Sequence, residues 1–112
     1  MKRIEAIIRP EKLEAVRKEL EGEGCQGISI TEIEGHGKQQ GIVQQWRGEK
    51  YKVELLPKIK IDVVVKDGDA PKIIKAIIKT ARTGEIGDGK IFISPIEDAI
   101  RIRTGEKGEG VL

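Results

Sequence analysis

At the start of the chain apolar and polar positions alternate: Ile4, Ala6 and Ile8 fall on one side, and Arg3, Glu5, Ile7 and Arg9 on the other. A period of two marks a strand with one face in a core, so Lys2 to Arg9 reads as the first strand. At Pro10 the period changes. Proline is tolerated in a first helical turn and Glu11 suits the positive end of the helix dipole. Leu13, Val16 and Leu20 then recur at helical spacing until Gly22 and Gly24 stop the run. Cys25 to Glu34 reads as a second strand, with Ile28 and Ile30 alternating with Ser29 and Thr31. The clearest strand is Lys58 to Lys66: Ile59, Ile61, Val63 and Val65 point one way, Lys58, Lys60, Asp62, Val64 and Lys66 the other. Asp69 is the expected cap of a second helix, with Pro71 near its start. Its buried stripe is Ile73, Ile74, Ile77, Ile78 and Ala81, its solvated side Lys72, Lys75 and Lys79, and its end Gly84. Lys90 to Pro95 forms the fourth strand. A short segment from Ile96 to Ile102 leads into a tail that is glycine-rich and charged beyond Gly105 and is expected to be mobile.

The order β-α-β-β-α-β predicts an α+β, ferredoxin-like sandwich, four strands with two helices on one face. At 112 residues the whole chain, 1–112, reads as one domain. The architecture hosts many functions and selects none.

One departure from that plan is large. About twenty residues, Gly35 to Leu55, stand where a hairpin needs two to five, and loops of that length are functional or disordered. Gly35, Gly37, Gly41 and Gly48 punctuate a polar run with Gln39, Gln40, Gln44 and Gln45. Freezing all of it would cost on the order of 20–40 kcal/mol, whereas a micromolar ligand supplies only about 8. A small ligand can therefore pin the base of the loop while a protein partner orders its tip. Trp46 and Tyr51 are poor choices for solubility unless something binds them, and Arg47 beside them is a candidate interface anchor.

Composition narrows the function classes. Net charge is +2 although 36% of residues are charged, and aromatics are 3%. That lacks both the basic bias and the stacking platform of a nucleic-acid binder. Cys25 is the single cysteine, so no disulfide framework or cysteine metal cluster is available, and a buried apolar role in a reducing compartment is expected. No apolar run approaches about 18 residues, which predicts a cytosolic protein.

Candidate chemistry concentrates in Thr83-Gly84-Glu85-Ile86-Gly87-Asp88-Gly89-Lys90. Three glycines and a lysine can turn backbone amides toward an anion. Gly84 to Lys90 fits the first seven positions of the Walker loop G-x-x-x-x-G-K, but Ile91 replaces the magnesium-holding Ser or Thr. A helix precedes the glycines and a strand follows, the reverse of a Walker loop. There is no nucleophile–histidine–acid set, and Glu97 and Asp98 read as solvent-facing. A phosphate-holding loop of another design is expected, not a hydrolytic one.

These residues resemble the PII nitrogen-regulatory signal proteins over the whole chain. The strongest match is Thr83-x-x-x-Gly87-Asp88-Gly89-Lys90-Ile91-Phe92-Ile93-x-x-Ile96. Glu5-Ala6-Ile7-Ile8-Arg9-Pro10, Gly35-x-Gly37-x-Gln39-x-Gly41, Leu56-Pro57-Lys58 and Arg101-Ile102-Arg103-Thr104-Gly105 support it. The family's Tyr-Arg-Gly-Ala/Ser-Ala/Glu-Tyr signature is kept in part, as Trp46-Arg47-Gly48-Glu49-Lys50-Tyr51.

The resemblance implies a homotrimer with nucleotide sites between neighbouring subunits. It assigns ATP and ADP contacts to Ser29, Gly35, Gly37, Lys38, Gln39, Asp62 and Val64, to Gly87, Asp88, Gly89 and Lys90 in a glycine loop of about 82–90, and to Arg101 and Arg103 in a C-terminal loop of about 101–110. Ser29 replaces the family's usual Thr and Asp62 its usual Glu. It further implies a 2-oxoglutarate site using Lys58, with Gln39 helping to hold a magnesium ion between the two ligands. Members transmit ligand state through the long loop, here about 36–55. In GlnK-type members that loop plugs an ammonium transporter, with an arginine at the position of Arg47, so the protein would be cytoplasmic and reach the inner membrane face only through its partner. Tyr51 stands where many bacterial members are uridylylated. Control of a nitrogen-metabolism enzyme such as glutamine synthetase or nitrogenase is the alternative. A CutA-like metal-tolerance protein would lack the long loop and need more metal ligands than one His and one Cys offer.

Overall fold

The computed structural model of the chain describes residues 1–36, 44–46, 49–51 and 55–112. Strand β1 (Lys2–Ile8) is followed by a 3-10 turn at Pro10–Lys12 and helix α1 (Leu13–Gly22). Strand β2 (Ser29–His36), the short β3 (Gln44–Trp46) and β4 (Glu49–Tyr51), and β5 (Leu55–Val65) come next. A 3-10 turn at Asp67–Asp69 leads into α2 (Ala70–Ala81), then β6 (Lys90–Pro95) and a last 3-10 turn at Glu109–Val111.

The main sheet has the order β2-β5-β1-β6 with every neighbour antiparallel. This is the ferredoxin-like arrangement expected from the pattern. The alternation sets which face is covered: Ile4, Ala6 and Ile8 of β1 and Ile59, Ile61, Val63 and Val65 of β5 are buried. Val16 and Leu20 of α1 and Ala70, Ile73, Ala76, Ile77 and Ala81 of α2 complete the same core. Burying each large aliphatic side chain contributes about 1.5–3 kcal/mol. Glu19 and Lys79 join the two helices at 3.3 Å.

Several expected boundaries shift, each for a local reason. The helix after Pro10 begins as a 3-10 turn and becomes α-helical only at Leu13. The second strand starts at Ser29, not Cys25, because Gly24 (φ 85°) and Gly27 (φ 70°) take left-handed conformations that no strand accommodates. The strand Lys58–Lys66 is longer at its front, running from Leu55. Asp69 makes no side-chain cap bond and lies 3.7 Å from Lys72 instead. In α2 the stripe takes in Ala76, while Ile78 is exposed and Ile74 only partly covered. The helix ends at Ala81, where Arg82 turns extended (ψ 131°), ahead of Gly84.

The insertion between β2 and β5 carries a ladder of its own, β3 against β4, pairing Gln44 with Tyr51 and Trp46 with Glu49. Gly37, Lys38, Gln39 and Arg47 lie outside the described residues, as does the side chain of Tyr51. Beyond Gly105, where a mobile end is expected, the tail makes backbone contacts. Ile100 bridges Lys107, Gly105 N–H donates to the Arg101 carbonyl at 2.7 Å, and Gly108 N–H to the Ala99 carbonyl at 2.9 Å. No regular element forms over Ile96–Ile102 beyond that bridge.

Candidate functional site

The segment between α2 and β6 is built around one carboxylate. Asp88 accepts from the Thr83 hydroxyl, from the amides of Thr83 (2.9 Å) and Gly84 (2.8 Å), and from Arg9 Nε (3.1 Å). Those donors, the Thr83 hydroxyl foremost, hold the Asp88 carboxyl well below the usual carboxylate range. The first amides of the glycine run thus already have an anion, supplied by the chain itself. Arg9 also donates from Nη2 to the Ile86 carbonyl at 2.8 Å, so it clamps the loop at two points.

Gly84, Gly87 and Gly89 all have positive φ, as an amide-presenting loop requires. At Gly89 the need is also steric. A Cβ there would lie 1.7 Å from the Ile7 carbonyl oxygen, so the loop touches β1 backbone to backbone.

Lys58 reaches the same loop from β5, donating from Nζ to the Gly87 carbonyl at 2.5 Å. Burial pushes this ammonium's pKa down and Arg9 adds to the effect, while Glu11 and Asp88 oppose it. It is a partly desolvated cation with a carbonyl for company, a setting that favours an incoming anion. A cleft of about 560 Å³ opens here, lined by Gly35, Leu56, Lys58 and residues 85–90 over Ile7, Ile33 and Phe92. Gly35 and Leu56 are register partners at the end of the β2–β5 ladder, next to the insertion. Gly35 is packed closely on Lys58, since a Cβ on Gly35 would meet Lys58 Cγ at 2.8 Å.

A second cleft, about 410 Å³, lies at the other end of the sheet. Ser29, Asp62, Val64 and Arg101 line it with Arg3, Gln26, Gly27, Val111 and Leu112. Arg3 Nε holds Asp62 Oδ1 at 2.8 Å across the β1–β5 ladder. Arg101 is fixed by the tail, with Nη1 at 3.2 Å from Glu106 Oε2. Arg103 is exposed in the adjoining turn.

The candidate contacts therefore divide. Gly35, Lys58, Gly87, Asp88, Gly89 and Lys90 share the first cleft; Ser29, Asp62, Val64 and Arg101 share the second. Lys90 pairs with Ile7, whereas Val64 pairs with Arg3, four strand residues away, or roughly 13 Å. One chain does not gather Lys90, Arg101 and Arg103 around the glycine amides, and the resemblance implies sites shared between neighbouring subunits. Arg9 and Thr83, present in the sequence motifs without an assigned role, enter as loop-shaping residues.

Among the described residues no group of three or more His, Cys, Asp or Glu side chains is placed to hold a metal ion. No described helix is long and apolar enough to cross a membrane. Glu97 and Asp98 are exposed, and Asp98 Oδ1 accepts from the amides of Ala99 (2.8 Å) and Gly108 (3.2 Å).

Comparison with known proteins gives a consistent result. Residues 1–106 match the family model described as Nitrogen regulatory protein P-II. The chain is 54% identical over 109 residues to nitrogen regulatory protein P-II 2 of Methanothermobacter thermautotrophicus, covering 97% of this chain and 95% of that one. It is 54% identical over 109 residues to nitrogen regulatory protein P-II of Cereibacter sphaeroides, covering 97% of both. The Azospirillum brasilense protein of the same name is 52% identical over 108 residues, covering 96% of both.

Proposed function

The chain belongs to the nitrogen regulatory protein P-II family, and on that premise we propose that it is a non-enzymatic sensor of ATP, ADP and 2-oxoglutarate. It acts as a homotrimer and reports through residues 36–55 to a partner, foremost an ammonium transporter. The observation that carries the reading is the first cleft: Gly35 and Leu56, beside the insertion, line the same space as Lys58 and the glycine loop. An anion bound there touches the hinge of the part that signals.

The chemistry of the donors fits the ligands. Phosphate oxygens suit Lys90 and the amides of residues 87–90 that Asp88 does not occupy. A carboxylate suits Lys58, and in taking Lys58 it frees the Gly87 carbonyl, so the dicarboxylate and the glycine loop are coupled through one ammonium. Magnesium would rely on ligand oxygens together with Gln39, since the described residues offer no acidic cage. Ser29, Asp62, Val64, Arg101 and Arg103 would meet the nucleotide from a neighbouring copy, which accounts for their separation from Lys90 within one chain. The loop responds because the ligands have different affinities for its states, a population shift. In this reading the site holds phosphate and does not break it. The protein works in the cytoplasm, at the inner membrane face when a transporter holds it.

Titration calorimetry with ATP and ADP up to millimolar concentration tests the sensor; absence of heat for both removes it. Replacing Gln39 with Ala should weaken 2-oxoglutarate binding more than ADP binding, and equal losses would count against the magnesium role. The partner is tested by pull-down from membrane and soluble fractions, with ADP and then with ATP plus 2-oxoglutarate. Release from membranes only in the second condition supports the transporter. Capture from the soluble fraction alone points to an enzyme of nitrogen metabolism.

A further inference from the structure

The second cleft has a wall that the family match does not reach. Residues 1–106 match the family, and the segment after them, Lys107 to Leu112, turns back onto the sheet. Its course is held by backbone. Gly108 N–H donates to Ala99, Val111 N–H to Gly108 at 3.2 Å and Leu112 N–H to Glu109 at 3.1 Å. Gly108 takes φ 92° and ψ −169°, a conformation reserved for glycine, and this reverses the chain. After Ile102 the only apolar residues are Val111 and Leu112, and both line the cleft of Ser29, Asp62, Val64 and Arg101.

We propose that residues 107–112 are the apolar wall of a base-binding cleft, with Val111 and Leu112 contacting one face of the nucleotide's heterocycle. The inference rests on the nucleotide reading above and says which part of the ligand the tail meets. A purine has two apolar faces and a polar edge. The cleft supplies Val64 from β5 and Val111 with Leu112 from the tail, and Ser29, Gln26 and Asp62 as polar groups. Two apolar side chains ending an otherwise polar tail, one of them 44% exposed, are otherwise unexplained by the core, to which neither belongs. The phosphates lie elsewhere, at the glycine loop, so the tail discriminates by base and not by charge.

The test uses the full chain, a chain lacking residues 109–112, and Val111→Ser. Calorimetry is run with ATP, ADP and inorganic tripolyphosphate. Methyl NMR follows Val111 and Leu112 in the full chain. Both variants should bind ATP and ADP roughly tenfold more weakly, about 1.4 kcal/mol, because contact area with the base is lost. Tripolyphosphate binding should be unchanged. The Val111 and Leu112 methyls should move upfield with ATP, from the ring current of the base, and stay in place with tripolyphosphate. Unchanged or tighter ATP binding in both variants overturns the proposal, as do methyls that ignore saturating ATP. Equal losses for ATP and tripolyphosphate overturn it too, since the tail would then act on the phosphates. Failure of the full chain to bind any nucleotide is seen before a variant is made and removes the sensor reading itself.

Discussion

At Gly89 the loop meets β1 with no space for a side chain: a Cβ would sit 1.7 Å from the Ile7 carbonyl, at a φ of 99° that L residues avoid. Gly89→Ala must therefore push the loop off the strand. We expect ATP affinity to fall at least tenfold while far-ultraviolet circular dichroism stays unchanged, and retained affinity would show that the loop's seat on β1 is dispensable. Asp88 is the loop's other fixed point. A carboxylate whose pKa is lower when folded stabilises the protein above its unfolded value and stops doing so as pH falls through the folded value. The melting-temperature gap between wild type and Asp88→Asn should stay flat from pH 8 to about 5 and narrow only below about pH 4. A gap that stays constant on down through the acid range would show that Asp88 has no depressed pKa. The resemblance made Asp88 visible as a site residue but not its role. Its partner Arg9 is 79 residues away in sequence, and no periodicity reports such a pair.

The two helices, β1 and β5 were legible because each has one wet and one dry face; β2 and β6 carry no fully buried residue among those described. Lys90–Pro95 matches its expected bounds, and β1 differs only at Arg9, which leaves the strand before Pro10. What alternation could not give is the sign of φ at a glycine. Gly27 at 70° delays β2 to Ser29, even though Ile28 still packs on the core. Nor could it rank neighbours on one helix: Ile77 and Ile78 are adjacent isoleucines, 1% and 37% exposed. Ile78 instead borders a groove of about 380 Å³ with Ile74, Ile91 and Ile93, between α2 and β6. Urea denaturation should separate them. Ile77→Ala should cost about 2–5 kcal/mol, and Ile78→Ala less than about 1. Comparable losses would mean that the groove beside Ile78 is filled in solution.

For the whole molecule, the decisive feature is that the candidate contacts fall into two separate clefts of one chain. Sequence reading could bring Lys90, Arg101 and Arg103 into a single cationic group, because order along a chain does not say which copy a residue serves. The sheet register separates them within one chain: Lys90 faces Ile7 at one end, and Val64 faces Arg3 towards the other. If each site takes its glycine loop from one copy and its Ser29–Arg101 wall from the next, defects in the two halves must complement. Lys90→Glu and Arg101→Glu should each abolish nucleotide binding in a homogeneous assembly. When the two variants are unfolded together and refolded in equal amounts, a cyclic assembly pairs an intact loop with an intact wall in about a quarter of its sites. Calorimetric stoichiometry should recover that fraction at near wild-type affinity. No recovery in assemblies shown by native mass spectrometry to be mixed would place both halves of the site in one chain, and the separation of the two clefts would then need another explanation.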